Sequence, residues 1–317
     1  MQNPRDVLTP DALAMLQAIA RAGSFAAAAR NLGLVPSALT YRVRTLEEGL
    51  DVLLFDRSSR QARPTQAGLE LLRAGTQLLD ALDAVANRVK RVATGWEPQL
   101  SIAIDSIIAK GIVMELCEAF FALDPPSGPP TRIKLRDETL SGTMEALVAG
   151  QVDLALGVAM EPTNTADVHS QPLGSVSFVY AVAPHHALAA ADEPLSDALI
   201  QQHRAVAVAD TAQRSAGLTF GLLDGQDVLT VGSMQAKLDA QLRGLGGGFI
   251  PEAMARSYLE TGRLVAKAVE RPQRVALLRY AWRGATAATQ GRALQWWLAL
   301  LKNPATRAAL LTQHRGV

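Results

Sequence analysis

The sequence predicts an α+β multidomain chain: an N-terminal winged helix-turn-helix, a long linker helix and a C-terminal α/β domain. Three observations carry this. Three short helical patterns with glycine stops run from Thr9 to Leu50 and lead into an arginine-rich hairpin. A proline-free helical pattern follows from Ala67 to about Ala93. From Leu100 onward, apolar strands alternate with helices. A length of 317 residues suits about two domains, and 49% apolar with 19% charged residues permits a packed core. A net charge of +1 excludes a chain basic throughout, so any nucleic-acid surface is local. The single cysteine, Cys117, excludes an intrachain disulfide and a multi-cysteine metal site. No apolar run approaches the ~20 residues of a membrane span and residues 1–10 lack a signal core, so a cytoplasmic protein is expected.

Thr9 is placed to cap the first helix, Pro10 occupies a position where a missing N–H costs nothing, and Gly23 ends it. Ser24 is the next cap, ahead of an alanine-rich helix ended by Gly33. A third helix spans roughly Pro36 to Leu50, with Leu39, Val43, Leu46 and Leu50 forming a buried stripe. Its other face carries Ser37, Thr40, Tyr41 and Arg44, groups able to reach base edges or phosphates in a major groove. Alone, that face reads equally as a solvated one; two short helices with a glycine turn before it favour helix-turn-helix. Residues 52–68 form a hairpin with Arg57, Arg60 and Arg63 around its tip, suited to phosphates.

The runs Gly23-Ser-Phe-Ala-Ala-Ala-Ala-Arg-Asn-Leu32, Ser37-Ala-Leu-Thr-Tyr-Arg-Val-Arg-Thr-Leu-Glu47, Leu50-Asp-Val-Leu-Leu-Phe-Asp-Arg57 and Pro64-Thr-Gln-Ala-Gly68 resemble a LysR-type transcriptional regulator. The resemblance implies DNA contacts from Ser24, Pro36, Ser37, Thr40, Tyr41, Arg44, Arg57, Arg60 and Arg63. Val35-Pro36-Ser37 stands where the family has Ser-Gln-Pro, and Tyr41 where it has Arg. Val35 offers no capping oxygen, so the helix start is expected to shift to Ser37, and Tyr41 implies an altered operator preference.

Leu71, Leu78, Leu82, Val85, Val89 and Val92 form an a/d seam with Gly75 in the missing slot. It packs on its own domain or, as the resemblance implies, on a second subunit. Thr94-Gly-Trp-Glu-Pro98 breaks the helix as a hinge. The expected division is 1–66 for the winged helix, 67–93 for the linker helix, 94–98 for the hinge and 99–317 for the effector domain.

Strands are expected at 100–104, 131–136, 154–158, 176–183, 204–209, 227–231 and 277–282, with a further one after the Gly244–Pro251 segment, in a mainly parallel sheet. Helices are expected from Ile107, Ser141, Ser233 and Gln290. Asp153-Leu-Ala-Leu-Gly157 and the glycine-rich segment before Pro251 resemble the family's effector domain. That implies two α/β lobes like those of periplasmic binding proteins, about 99–162 with 269–317, and 163–268.

Ligands of such lobes sit at strand carboxyl ends near helix N-termini. This selects Asp105, Ser106, Arg136, Glu138, Thr139, Gly157, Val158, Val208, Ser233 and Lys237. Ser106 is either a ligand contact or a plain N-cap, and Arg136–Glu138 either contact or surface ion pair. A hydroxyl and amides at a helix start favour a small organic acid. His185-His186 reads as an exposed loop pair, Cys117 as core, and Gly244-x-Gly-Gly-Gly lacks nucleotide-binding spacing. No catalytic, cofactor or metal set is found. The expected function is a non-enzymatic, effector-modulated transcriptional regulator. Its expected partners are operator DNA, a small-molecule effector, RNA polymerase when activating, and further copies of itself as a dimer or tetramer, with no membrane. The rivals, a cytoplasmic small-molecule binding protein or an enzyme, leave the N-terminal unit unexplained.

Overall fold

The structure is a computed structural model and describes residues 4–56, 62–123, 128–159, 167–212, 220–284 and 290–314. It divides into residues 1–86 and 87–317.

The first unit holds α1 (Pro4–Val7), α2 (Pro10–Ala22), α3 (Phe25–Asn31), α4 (Pro36–Leu50), β1 (Phe55–Asp56) and β2 (Arg63–Pro64). The Thr9 hydroxyl accepts the Ala12 N–H at 3.2 Å, and Gly23 closes α2 in the left-handed region at φ +68°. Ser24 caps α3 through the Ala27 N–H. Ala28 and Ala29 are fully buried, which lets α3 approach its neighbours, and Leu16, Ile19, Leu39, Val43 and Leu46 fill the core. α4 begins at Pro36 rather than Ser37: no side chain caps it, and proline at the first position presets the helical φ. β1 and β2 pair antiparallel, Phe55 opposite Pro64 and Asp56 opposite Arg63. Buried Glu47 accepts the Leu54 and Phe55 amides and fixes the chain entering the hairpin.

Gly68 explains the end of the Pro64–Gly68 motif. A Cβ there would press into the Leu54 backbone carbonyl, which has no side-chain freedom to yield. Gly68→Ala is expected to destabilise this unit by about 1–3 kcal/mol and to weaken DNA binding; a parent-like circular-dichroism melt would contradict this.

α5 (Gln66–Thr94) is a single 29-residue helix. Its first turns pack on the DNA-binding unit, not on a seam. Leu71 and Leu72 lie against the core, Gly75 admits Leu13, and Gln17 donates to the Thr76 hydroxyl at 2.8 Å. Leu71 and the Gly75 slot therefore leave the expected seam, while Leu78, Leu82, Val85 and Val89 stay exposed; the Val92 side chain lies outside the described residues. The 94–98 segment is anchored: the Glu97 carboxylate accepts the amides of Ala293 and Leu294.

The second unit continues with β3 (Gln99–Asp105), α6 (Lys110–Phe121), β4 (Arg132–Glu138), α7 (Ser141–Val148), β5 (Leu154–Val158), β6 (Val168–Val182), α8 (Asp197–Gln201), β7 (Ala205–Val208) and β8 (Val228–Val231). It ends with α9 (Met234–Leu242), β9 (Gly248–Pro251), α10 (Glu252–Glu260), β10 (Val265–Lys267), β11 (Val275–Arg283), α11 (Arg292–Leu301) and α12 (Pro304–Thr312). The main sheet runs β10-β6-β11-β5-β3-β4, with β9 also on β6; β7 and β8 pair separately.

The sheet is mixed rather than mainly parallel. β3 lies parallel to β4 and β5, but β11 runs antiparallel to β5 and β6. β6 starts at Val168, eight residues before the expected strand. Pro172 and Gly174 mask its first half, and both sit where the β6–β11 register shifts, a place that tolerates such residues. The first lobe is built on β3, β4 and β5; the second on the end of β6 with β7 to β10. β6 and β11 connect them. Among the described residues, no helix is long and apolar enough to cross a membrane.

Candidate functional site

Pro36, Ser37, Thr40, Tyr41 and Arg44 are all exposed, at spacings that set the last four on one face of α4. The buried stripe of Leu39, Val43 and Leu46 fixes that orientation. Tyr41 is 70% exposed. The Thr40 hydroxyl donates to the Pro36 carbonyl at 2.9 Å, and Arg44 meets Glu48 at 2.7 Å in an exposed pair that costs little to break. Ser24 spends its hydroxyl oxygen as the α3 cap. Arg63 is exposed on β2; Arg57 and Arg60 lie outside the described residues.

In the effector unit the structure draws Asp105, Ser106, Glu138 and Thr139 together and gives most of them internal partners. Asp105 is buried at the end of β3. Its carboxylate accepts the Ile107 amide at 2.9 Å, the Leu140 amide at 2.7 Å and the Thr143 hydroxyl at 3.3 Å. Burial nonetheless pushes its pKa up to about 7, with Asp210 adding repulsion against the opposing hydrogen bonds. Gly157, at φ +90°, has no room for a side chain because Asp105 and Ile108 occupy that space, and Val158 is core.

The helix expected from Ile107 starts at Lys110, so Ser106 is no N-cap. The amides of Ser106, Ile107, Ile108 and Ala109 donate to Glu138 O, Asp105 Oδ1, Asp105 O and Leu310 O, each at 2.9 Å. They offer no anion cradle, which removes the dipole argument for an acid at this spot. The Ser106 hydroxyl differs: its oxygen is buried and has no partner among the described residues.

Arg136 and Glu138 form an ion pair in which Glu138 is only 4% exposed, so it is not a surface pair; Arg136 also donates to Gln151 at 2.7 Å. Glu138 and Thr139 meet the segment after β7. Thr211 donates its hydroxyl to Glu138 at 2.5 Å, and the Thr139 amide donates to that hydroxyl at 2.9 Å. Asp210 accepts from the Ser141 hydroxyl and from the Gly142 amide at 3.2 Å. Asp210 and Thr211 thus clasp the second lobe to the first. Val208, the strand-end residue selected from the sequence, lies two residues before Asp210, where the polar run begins.

Val208 is buried against Met234 and Leu238. Ser233 caps α9 by accepting the Ala236 amide at 3.1 Å. Lys237, one turn on, is buried, and burial together with Arg274 brings its pKa down to about 7.

An exposed recognition face on α4 of a small winged unit, joined through a long helix to a two-lobed α/β unit, defines a ligand-responsive DNA-binding protein. Residues 10–69 match the model of bacterial regulatory helix-turn-helix proteins of the lysR family, and residues 93–305 match that of the LysR substrate binding domain. The chain belongs to the LysR family of transcriptional regulators, a family of regulators rather than enzymes. It is similar to the uncharacterized HTH-type transcriptional regulator YeeY of Escherichia coli, 36% identical over 90% of this chain and 91% of that protein. The probable HTH-type regulator YhaJ of the same organism is 36% identical over 92% of this chain and 95% of its own. The solved structure of full-length CbnR with its target DNA has the same fold, with a TM-score of 0.58 at 17% identity, covering 93% of this chain and 99% of that one.

Proposed function

We propose that this regulator reads operator DNA through Pro36, Ser37, Thr40, Tyr41 and Arg44 in a major groove, with Ser24 at the α3 start and Arg57, Arg60 and Arg63 of the hairpin on phosphates. A small-molecule effector bound between the lobes of residues 99–317 shifts the geometry of an α5-paired homodimer or homotetramer. The observation that carries the DNA reading is the exposed, polar face of α4, held outward by its own apolar stripe. An activator of this kind touches RNA polymerase, and DNA as partner places the chain in the cytoplasm. The effector contact best supported is the unpartnered Ser106 hydroxyl. The effector must bind two arrangements of the lobes with different affinity, and the Asp210–Thr211 clasp is the contact that would differ between them.

The test is a gel shift with the chain's own upstream DNA. Arg44→Ala is expected to weaken operator binding about 10- to 100-fold, the worth of one bidentate base contact, without altering the fold. Arg60→Ala is expected to weaken binding to all sequences and to flatten the salt dependence. Parent-like affinity in Arg44→Ala would remove the α4 reading.

A further inference from the structure

The recognition helix carries a glycine that its own conformation does not require. Gly49 lies inside α4, one residue before its end at Leu50. Glycine inside a helix is destabilising relative to alanine. Near a helix end it commonly supplies the left-handed residue that stops the helix. Here that position belongs to Asp51, at φ 54°, whose amide donates to the Glu48 carbonyl. Capping therefore leaves Gly49 unexplained.

Its neighbour supplies the reason. A Cβ on Gly49 would stand 2.7 Å from Val7 Cγ1, 3.0 Å from Val7 Cγ2 and 3.3 Å from Val7 Cβ. Valine is branched at Cβ and stiff at χ1, so it cannot swing aside as a long side chain would. Val7 is the last residue of α1, so α1 sits on α4 at a distance that only glycine allows. α1 is itself tethered. Only Leu8 and Thr9 separate it from α2; Thr9 is held as the α2 cap, and Pro10 follows with a preset φ. Val7 and Leu8 also pack against the core of the unit.

The contact lies on the ridge of α4 that carries Tyr41. Tyr41, Thr45 and Gly49 succeed one another at intervals of four and share a face. A groove beside this ridge is lined by Asp6 and Val7 on the α1 side and by Tyr41 and Thr45 on the α4 side. The last turns of α4 are held towards the hairpin as well, where Glu47 accepts the Leu54 and Phe55 amides. The first turn, by contrast, has no side-chain cap. The seat of α4 is therefore its C-terminal end. Tyr41 lies eight residues from Gly49 on the same rod, roughly 12 Å at 1.5 Å per residue, so a displacement at Gly49 reaches it.

Resting on the α4 reading above, we propose that Val7 and Gly49 are positioning residues for operator recognition. α1 is a strut that seats the last turn of α4 and so fixes where Tyr41 and Arg44 enter the major groove. Gly49→Ala has to move α1 or α4 by about 0.7 Å to reach an ordinary contact of 3.4 Å. Recognition side chains work within about 0.5 Å of their productive geometry.

The test is fluorescence anisotropy of the full chain with its own upstream DNA and with a scrambled duplex of the same length and composition. Gly49→Ala is expected to weaken operator binding about tenfold, the scale of one impaired base contact. Binding to the scrambled duplex and its salt slope are expected to stay as in the parent, because phosphate contacts carry no sequence information. A merely structural role would instead lower the melting temperature and weaken both duplexes together. Val7→Ala removes the strut's contact without adding bulk, and is expected to weaken operator binding about threefold with the same selectivity. It decides the matter if circular dichroism shows that Gly49→Ala does not fold. The double variant Val7→Ala/Gly49→Ala lacks both methyls that block the new Cβ, and is expected to recover to the level of Val7→Ala. Parent-like operator binding by Gly49→Ala, equal losses on the two duplexes, or no recovery in the double variant overturns the strut. Arg44→Ala, measured alongside, separates this from the reading beneath it. If Arg44→Ala loses operator binding and neither Gly49→Ala nor Val7→Ala does, the α4 reading stands and the strut falls. If Arg44→Ala binds as the parent while Gly49→Ala and Val7→Ala lose the operator alone, the strut stands and the Arg44 contact falls.

Discussion

Lys237→Met is expected to make the ligand-free chain more stable, by about 1–4 kcal/mol at pH 6.5. Replacing a buried ion by an apolar side chain of similar volume removes a desolvation penalty that nothing in the fold offsets. Methionine keeps the length of the lysine stem and adapts to the space beside Gly248. The pH dependence separates this cause from a general packing effect. The ammonium titrates near pH 7 in the folded chain, lowered first by burial and then by Arg274, and near 10.5 when unfolded. Between those values the unfolded chain binds more protons, so stability rises with pH across that window; below pH 7 the full cost of the buried charge is present. The variant's advantage should therefore be largest at pH 7 and below and should shrink towards pH 10. Asp105 works in a different window. Its pKa is raised to about 7, so its contribution is complete below pH 4 and is lost as pH rises through 7; comparing variant with parent cancels it. All four tryptophans, Trp96, Trp282, Trp296 and Trp297, lie in the second unit, so denaturation followed by their fluorescence reports on that unit. A variant less stable than the parent at pH 6.5, or an advantage independent of pH, would show that Lys237 has a compensating partner.

Such a result would make Lys237 a residue kept at the expense of stability, which is how binding residues differ from packing residues. The same contrast explains how far the sequence could be read. The DNA-binding unit was legible because its signals are local. Thr9, Pro10, Gly23 and Ser24 act within four residues of themselves, and the 39-43-46 stripe orients α4 without outside help. Pro36 still moved the start of α4, since a preset φ serves as well as a capping oxygen. The effector unit was legible where strands are continuous apolar runs, as in Leu154–Val158, and illegible where long-range pairing decides. The first half of β6 reads as a loop because Pro172 and Gly174 are breakers in sequence but sit at a bulge opposite β11.

The candidate site shows the same limit. Strand ends picked out Asp105, Glu138 and Thr139, yet these residues are occupied by Leu140, Thr143 and Thr211, partners 35 to 73 residues away. No spacing rule reveals that Asp210 and Thr211 reach back to the start of α7. At Ser106 the cause is local: α6 starts three residues later than expected, at Lys110, and the amides of residues 106–109 are taken by acceptors within the fold.

Leu82→Glu is expected to convert the regulator to monomers. α5 carries two apolar faces. One holds Leu71, Leu72 and Gly75 and is used within the chain, against Leu13 and the core of the DNA-binding unit. The other holds Leu78, Leu82, Val85 and Val89 at spacings of four, three and four, and these are 55%, 49%, 47% and 66% exposed. That period is the a/d pattern of helices that pair. Covering each such side chain fully is worth about 1.5–3 kcal/mol, and a second copy of α5 supplies matching side chains at the same heights. A carboxylate at the centre of that seam would be buried without a partner in both chains, which removes the favourable term and adds a desolvation cost. Because Leu82 is half exposed in the single chain, the variant should keep its fold. Light scattering at low micromolar concentration is expected to give the monomer mass of 33.7 kDa. DNA binding should weaken by about 100-fold or more, because the second half-site is no longer held at high effective concentration. Single half-site affinity, fixed by α4 and the hairpin, should stay as in the parent. An intact oligomer would move the interface off the Leu78–Val89 face; loss of half-site binding would show instead that the glutamate reaches the DNA-binding core.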